Sequence, residues 1–310
     1  MSVLGIIKLS VFQSLNHNRY GAEPADFAKI AYVSHEHSQR NPYAQFRKAF
    51  TLDQILNSGD IYGPLTKLQC GPTSDGAAAA VVVSQRFLDA RPHLKSQAIL
   101  MAGQQLLTDG PEVYSRSAID LVGYNMSRQA AKLALQEASA KVEDIKVCEL
   151  HDCFSANELV LLEALGFSKP GKAHEMVRQG DITYGGSGLV INPSGGLISK
   201  GHPLGATGVA QCAELVWHLR GWAKNRLVPG TRVAMQHNLG LGGAVVVTVY
   251  RRADGQTAPV VSDEEINKRS GYNPAVEARQ LGLEEGNRVR SKKRHDHALH
   301  AAVKRPKGRI

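Results

Sequence analysis

One glycine-rich stretch, residues 192–208, constrains the fold of this chain more than any other. It reads Asn-Pro-Ser-Gly-Gly-Leu-Ile-Ser-Lys-Gly-His-Pro-Leu-Gly-Ala-Thr-Gly, and its periodicity predicts an amphipathic helix directly afterwards. Glycines permit positive φ and close backbone approach, so the stretch is predicted to form a tight, shaped loop. His202 lies inside it, where backbone N–H groups and a helix N-terminus converge, which suits an anion or a developing oxyanion. A plain strand-to-helix connection is the alternative, but such loops rarely need so many glycines around one titratable side chain.

Segments with the apolar spacing of strands alternate along the chain with segments that have the apolar spacing of helices. This order predicts an α/β fold around the loop. Strands are predicted at 65–69, 77–84, 97–103, 145–150, 232–236 and 244–250, and helices at 26–33, 125–138, 155–166 and 209–219. The strand at 77–84 is rich in small residues and valine, which is typical of a buried strand. The last two strands read as a hairpin, which predicts an antiparallel edge on a mixed sheet.

Three groups of chemically active side chains fall where predicted strands end. His151 and Cys153 follow one strand and precede a helix with capping-box spacing. His202 lies in the glycine-rich loop, and His237 and Asn238 follow a later strand. Ligands of open α/β sheets bind at the carboxyl ends of strands, so these side chains are predicted to converge on one site. Each of them alone is more often a hydrogen-bonded structural residue.

Cys153 is the predicted reactive thiol. A thiol close to imidazoles and to a helix N-terminus has its thiolate favoured, and it serves as a nucleophile or as a proton donor and acceptor. A small buried core residue is the alternative, and that is the interpretation of Cys148 and Cys212. Cys70 lies in a Cys-Gly-Pro turn with no base beside it in sequence.

A metal site is not predicted. The histidines and Cys153 are of the types that suit zinc, but no pair of them has local metal-ligand spacing. His35 and His37 are close in sequence without a third ligand nearby, so both are predicted to be exposed.

The net charge and the cysteine content limit which partners and which compartment are expected for this protein. The net charge is +9, but residues 251–310 hold 14 Lys and Arg against 8 Asp and Glu, so the basic character lies mainly in the tail. Such a tail can meet an anionic partner, but a solvated, disordered tail is predicted and nucleic acid is not an expected partner. The four cysteines without a Cys-x-x-Cys pair fit a reducing compartment. No apolar run is long enough to predict a transmembrane segment or to read as a signal peptide.

Five segments together carry a family resemblance. They are residues 41–46, 73–79, 149–155, 192–208 and 237–243, and in this order they resemble the thiolase family, specifically thiolases of the sterol-carrier-protein type. The resemblance covers roughly residues 20–250. Residues 201–208 look like the thiolase histidine motif, and His-Asp-Cys-Phe at 151–154 is the variant typical of this subgroup. Other thiolases carry Asn-Glu-Ala-Phe there and a cysteine where this chain has His237.

The resemblance implies a layered thiolase-like α/β fold of helices and mixed five-stranded sheets, with the second repeat complete and the first incomplete. The implied division is a remnant of the N-terminal repeat with the loop region at 1–95, a C-terminal thiolase domain at 96–250, and a basic, disordered tail at 251–310. Thiolases carry their nucleophilic cysteine in the N-terminal half, and no matching segment is found here. We therefore expect poor solubility or dependence on a partner when the chain is expressed alone.

The resemblance also implies an activity, that of an acyl-CoA C-acyltransferase of lipid metabolism. A 3-oxoacyl-CoA is cleaved, acetyl-CoA or propanoyl-CoA leaves, and coenzyme A is a substrate, with no cofactor. His202 would activate the nucleophile and hold the thioester oxygen, and His151 would help form an oxyanion hole directly or through water. Cys153 would protonate the departing enolate, with His237 beside it. The residues implied to bind the CoA ester are Gly205, Ser194, Gly242 and Asn238.

Two other functions stay open. One is a catalytically impaired acyl-CoA-binding or lipid-binding protein, associated with lipid transfer, that keeps the second half of the site. The other is an interaction protein that uses the basic tail. Family analogy implies a homodimer, a role in fatty-acid β-oxidation and a peroxisomal location. The chain ends Lys-Gly-Arg-Ile rather than in a Ser-Lys-Leu-type address, and a cytoplasmic location is the alternative.

Overall fold

The computed structural model describes residues 20–240, 243–279 and 282–291 of the 310-residue chain. The chain divides into two units, Met1–Val276 and Glu277–Ile310. Among the described residues of the first unit, the helices are α1 (Pro24–Ser38), α2 (Leu52–Leu56), α3 (Gln85–Asp89), α4 (Ala118–Leu121), α5 (Tyr124–Glu137), α6 (Ser155–Ala164), α7 (Ala173–Gln179), α8 (Thr207–Arg220) and α9 (Asp263–Ser270). In the second unit, the described residues include helix α10 (Leu283–Ser291).

A five-stranded mixed sheet forms the centre of the first unit. Its strands are β3 (Ile99–Thr108), β4 (Ile145–Glu149), β5 (Val190–Ile191), β6 (Val233–Gly240) and β7 (Ala244–Arg252), in the spatial order β3-β7-β6-β4-β5. Strand β4 pairs in parallel with β5 and β6, whereas β7 is antiparallel to both of its neighbours. A separate two-stranded ribbon joins β1 (Asp60–Tyr62) to β2 (Leu65–Thr66). The predicted mixed α/β fold is confirmed, and so are the antiparallel pairing of β6 with β7 and an antiparallel edge of the sheet. The edge strand itself is β3, because it pairs with β7 on the side away from β6.

Both faces of the sheet are covered by helices. Apolar side chains of β6 and β7 pack with those of α1, α5 and α6 on one face. On the other face, Leu215 and Leu219 of α8 pack on side chains such as Val147 and Tyr250. Gly103 of β3 allows a close approach between β3 and α5, because a Cβ added there would overlap the carbonyl oxygen of Ala134. The result is a layered arrangement of the kind expected for this fold class.

The apolar run at 77–84 differs from its prediction. We predicted a buried strand, but the segment carries no regular secondary structure and Val81 is 93% exposed. An apolar run becomes a strand only where another strand pairs with it, and no described strand lies beside this one. The predicted strand at 65–69 is also shorter, because the chain turns into a 3₁₀ helix at Lys67–Gln69.

The tail predicted to be disordered from residue 251 has ordered parts. Strand β7 continues to Arg252, and α9 buries Ile266 in a small apolar cluster with Trp222, Val261 and Ala275. Burial of these few apolar side chains explains why order extends this far. Residues 292–310 lie outside the described part of the chain. The predicted domain boundaries stay predictions. None of the described helices is long and apolar enough to cross a membrane.

Candidate functional site

The glycine-rich loop forms a π-helical turn at Gly196–Lys200. Gly195, Gly196 and Gly201 all have positive φ. Residues other than glycine adopt this backbone conformation only at a cost in free energy. A Cβ added at Gly196 would overlap the carboxylate of Asp152, so the loop backbone lies directly against this side chain. The Asp152 carboxylate accepts hydrogen bonds from the backbone N–H of Leu197 (2.6 Å) and of Ile198 (3.5 Å). The predicted tight, shaped loop is confirmed.

Asn192 ties the start of this loop to the end of β4. Its side-chain oxygen accepts the N–H of Leu150 at 2.8 Å, and its amide donates to Glu158 at 3.0 Å. Its backbone carbonyl accepts a hydrogen bond from Nδ1 of His37 at 3.0 Å. His37 is therefore a buried residue that supports the loop.

His35 and His37 are both buried, so the prediction that they are exposed is wrong. His35 bonds to the hydroxyl of Ser199 at 2.9 Å, and His37 bonds to the hydroxyl of Thr183 at 2.8 Å as well as to the loop. Ser199 and Thr183 are each more than a hundred residues away in sequence, and the Leu68 carbonyl that His35 also contacts is 33 residues away, so no local pattern could reveal these partners. Burial lowers the pKa of both imidazoles, that of His37 to about 4, so both are neutral at neutral pH.

Ser194 lies in a buried polar network rather than on an open surface. Its hydroxyl donates to Oε2 of Glu149 at 2.7 Å and accepts from Nζ of Lys200 at 2.6 Å. Lys200 also pairs with Glu149 at 3.1 Å. These bonds fasten the loop to the last residue of β4. Contact of Ser194 with a CoA ester stays a prediction.

Three imidazoles converge beside the loop. The rings of His151 and His202 meet edge to face, with their centroids 4.9 Å apart. His237 lies beside the end of β4, because its neighbour Gln236 pairs with Glu149, and it contributes to the lowered pKa of His151. The structure therefore brings together the three histidines that the sequence placed at strand ends. His237 and Asn238 differ from their prediction in one respect, because both lie within β6 rather than after it.

The hydrogen bonds of His202 fix its tautomer. Its Nδ1 lies 2.8 Å from the hydroxyl oxygen of Thr207, and that hydroxyl donates to the carbonyl of Pro203 at 3.1 Å. Since the hydroxyl hydrogen is used in this way, Nδ1 of His202 carries the proton and Nε2 keeps its lone pair. The backbone N–H of His202 donates to the hydroxyl of Ser74 at 3.1 Å. Nε2 of His202 is thus set up as a proton acceptor.

Four buried polar atoms at this end of β4 and β6 have no hydrogen-bond partner among the described residues: His151 Nδ1, His237 Nδ1, Asn157 Oδ1 and Gln211 Oε1. The amide of Asn157 donates to the carbonyl of His151, and that of Gln211 donates to Leu150 at 3.1 Å. Buried polar atoms in proteins are as a rule hydrogen-bonded, so this cluster has the capacity to bind additional polar groups.

Burial holds all three imidazoles neutral. It lowers the pKa of His237 to about 3 and that of His151 well below its ordinary value, and His202 and His237 lower the latter further. Burial also lowers the pKa of the half-buried His202, and the charge of Lys200 adds to this effect. A neutral imidazole can accept a proton at one nitrogen while it donates a hydrogen bond from the other.

Cys153 is buried, and its thiol is not activated. Burial raises its pKa well above the ordinary value, with further contributions from Asp152 and Cys70. The prediction of a favoured thiolate is therefore wrong, because loss of solvation outweighs the effect of the α6 N-terminus. The neighbours that act on this pKa are Asp152 and Cys70 rather than an imidazole. A protonated thiol in this place is suited to donating a proton.

The other three cysteines are partly or fully buried. Cys148 is fully buried in the core, as predicted, and burial raises its pKa. Cys212 packs against the apolar cluster under α8 but is only half-buried, so it is less buried than predicted. Burial raises the pKa of the Cys70 thiol to about 12, and the thiol donates to the carbonyl of Thr66 at 3.4 Å.

A cavity of about 420 Å³ opens beside His202. It is lined by residues 74–78 and 203–206, which include the predicted CoA-ester contact Gly205. Asn238 accepts a hydrogen bond from the amide of Gln236 at 2.6 Å. Gly242 lies outside the described residues. The roles of these three residues in binding stay predictions.

Sequence reasoning missed several residues that hold the site. Thr207 is five positions after His202 on the first turn of the predicted helix, so it carried a local signal. Asp152 lies between two predicted site residues and carried the same kind of signal. Ser127, which bonds to Nε2 of His237 at 3.0 Å, comes from a helix 110 residues away and carried none. No three His, Cys, Asp or Glu side chains within the described ranges are grouped as a metal site requires.

Comparison with known proteins shows what this arrangement resembles. The family model for thiolase C-terminal domain-like proteins matches residues 112–252. Over 234 residues, or 75% of this chain, the chain is 53% identical to sterol carrier protein 2 of Bos taurus and covers 43% of that protein. It is 51% identical to non-specific lipid-transfer protein-like 2 of Caenorhabditis elegans, of which it covers 57%. An acetyl-CoA acetyltransferase of Methanothermobacter thermautotrophicus is 37% identical over 238 residues, and the chain covers 60% of it.

Solved structures support the same fold. An Ltp2-ChsH2(DUF35) aldolase matches 80% of this chain and 64% of its own length, with a TM-score of 0.67 and 22% identity. A monomeric SCP2-thiolase-like protein type 1 from Mycobacterium smegmatis matches 86% of this chain and 56% of its own, with a TM-score of 0.56 and 16% identity. The chain thus spans roughly two fifths to three fifths of the length of these curated relatives.

Proposed function

This chain is a member of the thiolase family through its C-terminal domain, and from that premise we propose that it is an acyl-CoA C-acyltransferase acting on 3-oxoacyl-CoA thioesters. One observation carries the proposal, the convergence of neutral His151 and His202, beyond the carboxyl end of β4, with His237 of the neighbouring strand β6. The relatives named as acetyl-CoA acetyltransferases support the reaction class. We further propose a role in fatty-acid β-oxidation, a peroxisomal location and a homodimer.

The reaction makes two demands that this site can meet. A thiolate attacks the 3-oxo carbon, the bond between C2 and C3 breaks, and its electron pair leaves on C2 as the enolate of acetyl-CoA or propanoyl-CoA. The enolate oxygen then needs hydrogen-bond donors, and C2 needs a proton. Because burial keeps Cys70, Cys148 and Cys153 protonated, the attacking thiolate is that of coenzyme A, the second substrate, which leaves with the acyl group as a new thioester.

His202 is placed to take the first proton. Its Nε2 lone pair can accept the proton of an attacking thiol, because Nδ1 is already engaged with Thr207. The resulting imidazolium then donates to the thioester oxygen and stabilises its developing charge. His151 meets His202 edge to face, so an N–H of its neutral ring can reach the same oxygen or a water bound to it. This pairing supplies an oxyanion hole.

Cys153 is suited to the second proton transfer. Its raised pKa keeps the thiol protonated, so it can give a proton to C2 of the enolate. The chemistry in the direction of cleavage therefore uses the thiol as an acid.

A second candidate function is binding of an acyl-CoA or another lipid without turnover. Burial raises the thiol pKa of Cys70, Cys148 and Cys153, so none of these three is an activated nucleophile. The relatives named as sterol carrier and lipid-transfer proteins favour this candidate as well. In this case the same histidines would bind the thioester oxygen without subsequent cleavage.

Thiolytic cleavage distinguishes the two candidates. The chain is incubated with a 3-oxoacyl-CoA and coenzyme A, acetyl-CoA is quantified by chromatography, and binding of the acyl-CoA is measured by calorimetry. The variants are His202→Asn, whose amide can replace Nδ1 but not Nε2, and Cys153→Ser, with the exposed-site variant His93→Asn as the control. Turnover that falls about a hundredfold or more in the first two variants and persists in the control supports the acyltransferase. Binding without product supports the second candidate, and absence of both refutes both.

A further inference from the structure

Asp152 connects the end of β4, which leads to His151, with the glycine-rich loop, which carries His202. It follows His151 and precedes Cys153 in sequence and is fully buried, yet its carboxylate faces the glycine-rich loop. We propose that Asp152 is a positioning residue that sets the spacing between His151 and His202 by tying the end of β4 to the π-helical turn at Gly196–Lys200. This inference rests on the proposed function, since it assigns the spacing a role in that reaction.

The contacts of the carboxylate define the geometry. Oδ1 accepts the N–H of Leu197 at 2.6 Å, and Oδ2 accepts the N–H of Ile198 and the hydroxyl of Ser34, each at 3.5 Å. The carboxylate also lies against the Cα of Gly196, where a Cβ would overlap it. A side chain held by donors on the loop and by a donor on α1 can neither slide nor rotate without losing a bond. The end of β4 and the turn are therefore fixed relative to each other.

His151 and His202 are both close in sequence to the two segments that Asp152 holds together. Fixing these segments therefore restricts the positions of the two imidazoles. His151 is the covalent neighbour of Asp152, and His202 follows the turn by two residues. A second tie acts alongside, because Lys200 at the end of the turn pairs with Glu149 at the end of β4 at 3.1 Å. Any displacement of the turn away from β4 thus moves His202 relative to His151.

Burial of the Asp152 carboxyl costs free energy of desolvation. Burial raises the pKa of Asp152 to about 8, and the Leu197 N–H and the charge of Lys200 oppose this rise. Packed apolar side chains would hold two segments together at lower cost in desolvation. What the carboxyl provides in addition is direction, since it accepts hydrogen bonds from two successive backbone N–H groups.

The test compares Asp152→Asn with Asp26→Asn. Asp26 is a buried aspartate of α1 that pairs with Arg178 at 2.6 Å, so its variant matches the substitution at a place without contact to the loop. The Tm of each variant is measured by circular dichroism, and the nuclear Overhauser effect between the ring protons of His151 and His202 is measured by NMR without substrate. We expect both variants to lower Tm, but only Asp152→Asn to weaken this ring-to-ring signal, by about threefold, because it changes steeply with distance.

Each result decides the proposal. An unchanged His151–His202 signal in folded Asp152→Asn would overturn it and leave Asp152 a stabilising residue only. If this variant does not fold, Ser34→Ala removes one contact of the same carboxylate; a weaker signal of smaller size supports the proposal, and no change overturns it. The readout needs no turnover, so an inactive wild type would refute the proposed acyltransferase and still leave this comparison decisive. In an active protein, Asp152→Asn is expected to lower kcat about tenfold with KM nearly unchanged.

Discussion

Replacement of His37 by asparagine tests how strongly buried neutral histidines hold the loop together. The Nδ1 of His37 donates to the carbonyl of Asn192 at 3.0 Å, and its Nε2 bonds to the hydroxyl of Thr183 at 2.8 Å. The amide nitrogen of an asparagine can take the place of Nδ1, so His37→Asn keeps the bond to the loop and removes the titratable group.

The magnitude follows from the lowered pKa. Burial lowers the pKa of His37 from 6.5 to about 4, so the unfolded chain takes up this proton more readily than the folded protein. The stability that His37 contributes is therefore present above pH 6.5 and is lost as the pH falls towards the folded pKa. Between roughly pH 7.5 and pH 4.5, wild type should lose about 2.5 kcal/mol more free energy of unfolding than His37→Asn. Groups with the opposite sign, such as Asp152, are present in both proteins and cancel in the comparison.

Urea unfolding followed by far-ultraviolet circular dichroism measures this difference at both pH values. His93→Asn, which replaces an exposed histidine, is the matched control and should keep the pH dependence of wild type. The same pH dependence in wild type and His37→Asn, or a steeper loss in the variant, would refute the reasoning.

Three further predictions concern the site and the core. Thr207→Val removes the acceptor for Nδ1–H of His202, so turnover should fall about tenfold while Tm changes little; unchanged turnover would contradict the assigned tautomer. Arg226→Met leaves the buried carboxylate of Glu214 without the partner that now binds it at 2.7 and 2.9 Å, so urea unfolding should show a loss of about 3–5 kcal/mol; a loss near zero would show that the pair is not needed. Cys153 should react with iodoacetamide at neutral pH about tenfold or more slowly than a free thiol, because burial keeps it protonated; peptide mapping that finds equal rates would contradict this.

Elements with a local signal were predictable from the sequence. The apolar stripe of α5 predicted a helix at 125–138, and the structure has it at Tyr124–Glu137. The run at 77–84 carried an equally clear pattern, but pairing with another strand decides whether such a run becomes a strand. Burial of His35 and His37 likewise depends on partners far away in the sequence. Long-range packing is thus the information that the local pattern lacks.

The sequence predicted which residues form the site better than it predicted their protonation states. The convergence of His151 and His202 was predictable because ligand sites of such sheets lie at the carboxyl ends of parallel strands, whereas His237 reaches the same place from within β6. The protonation of Cys153 could not be predicted in the same way. Its position before a helix suggested a favoured thiolate, but the depth of its burial emerges only from the packed structure, and that depth decides its pKa.

Exchange of the α-hydrogens of acetyl-CoA in deuterium oxide tests the central claim most directly, because it reports enolate formation and needs no attacking thiol. Mass spectrometry follows the incorporation of deuterium with wild type, His202→Asn, Cys153→Ser and the control His93→Asn. We predict exchange above the buffer rate that rises with pH, since the Cys153 thiol must first lose its proton, and that falls about tenfold or more in the first two variants. Exchange at the buffer rate with wild type, or equal exchange in all four proteins, would contradict the assignment of this site to acyl-CoA enolate chemistry.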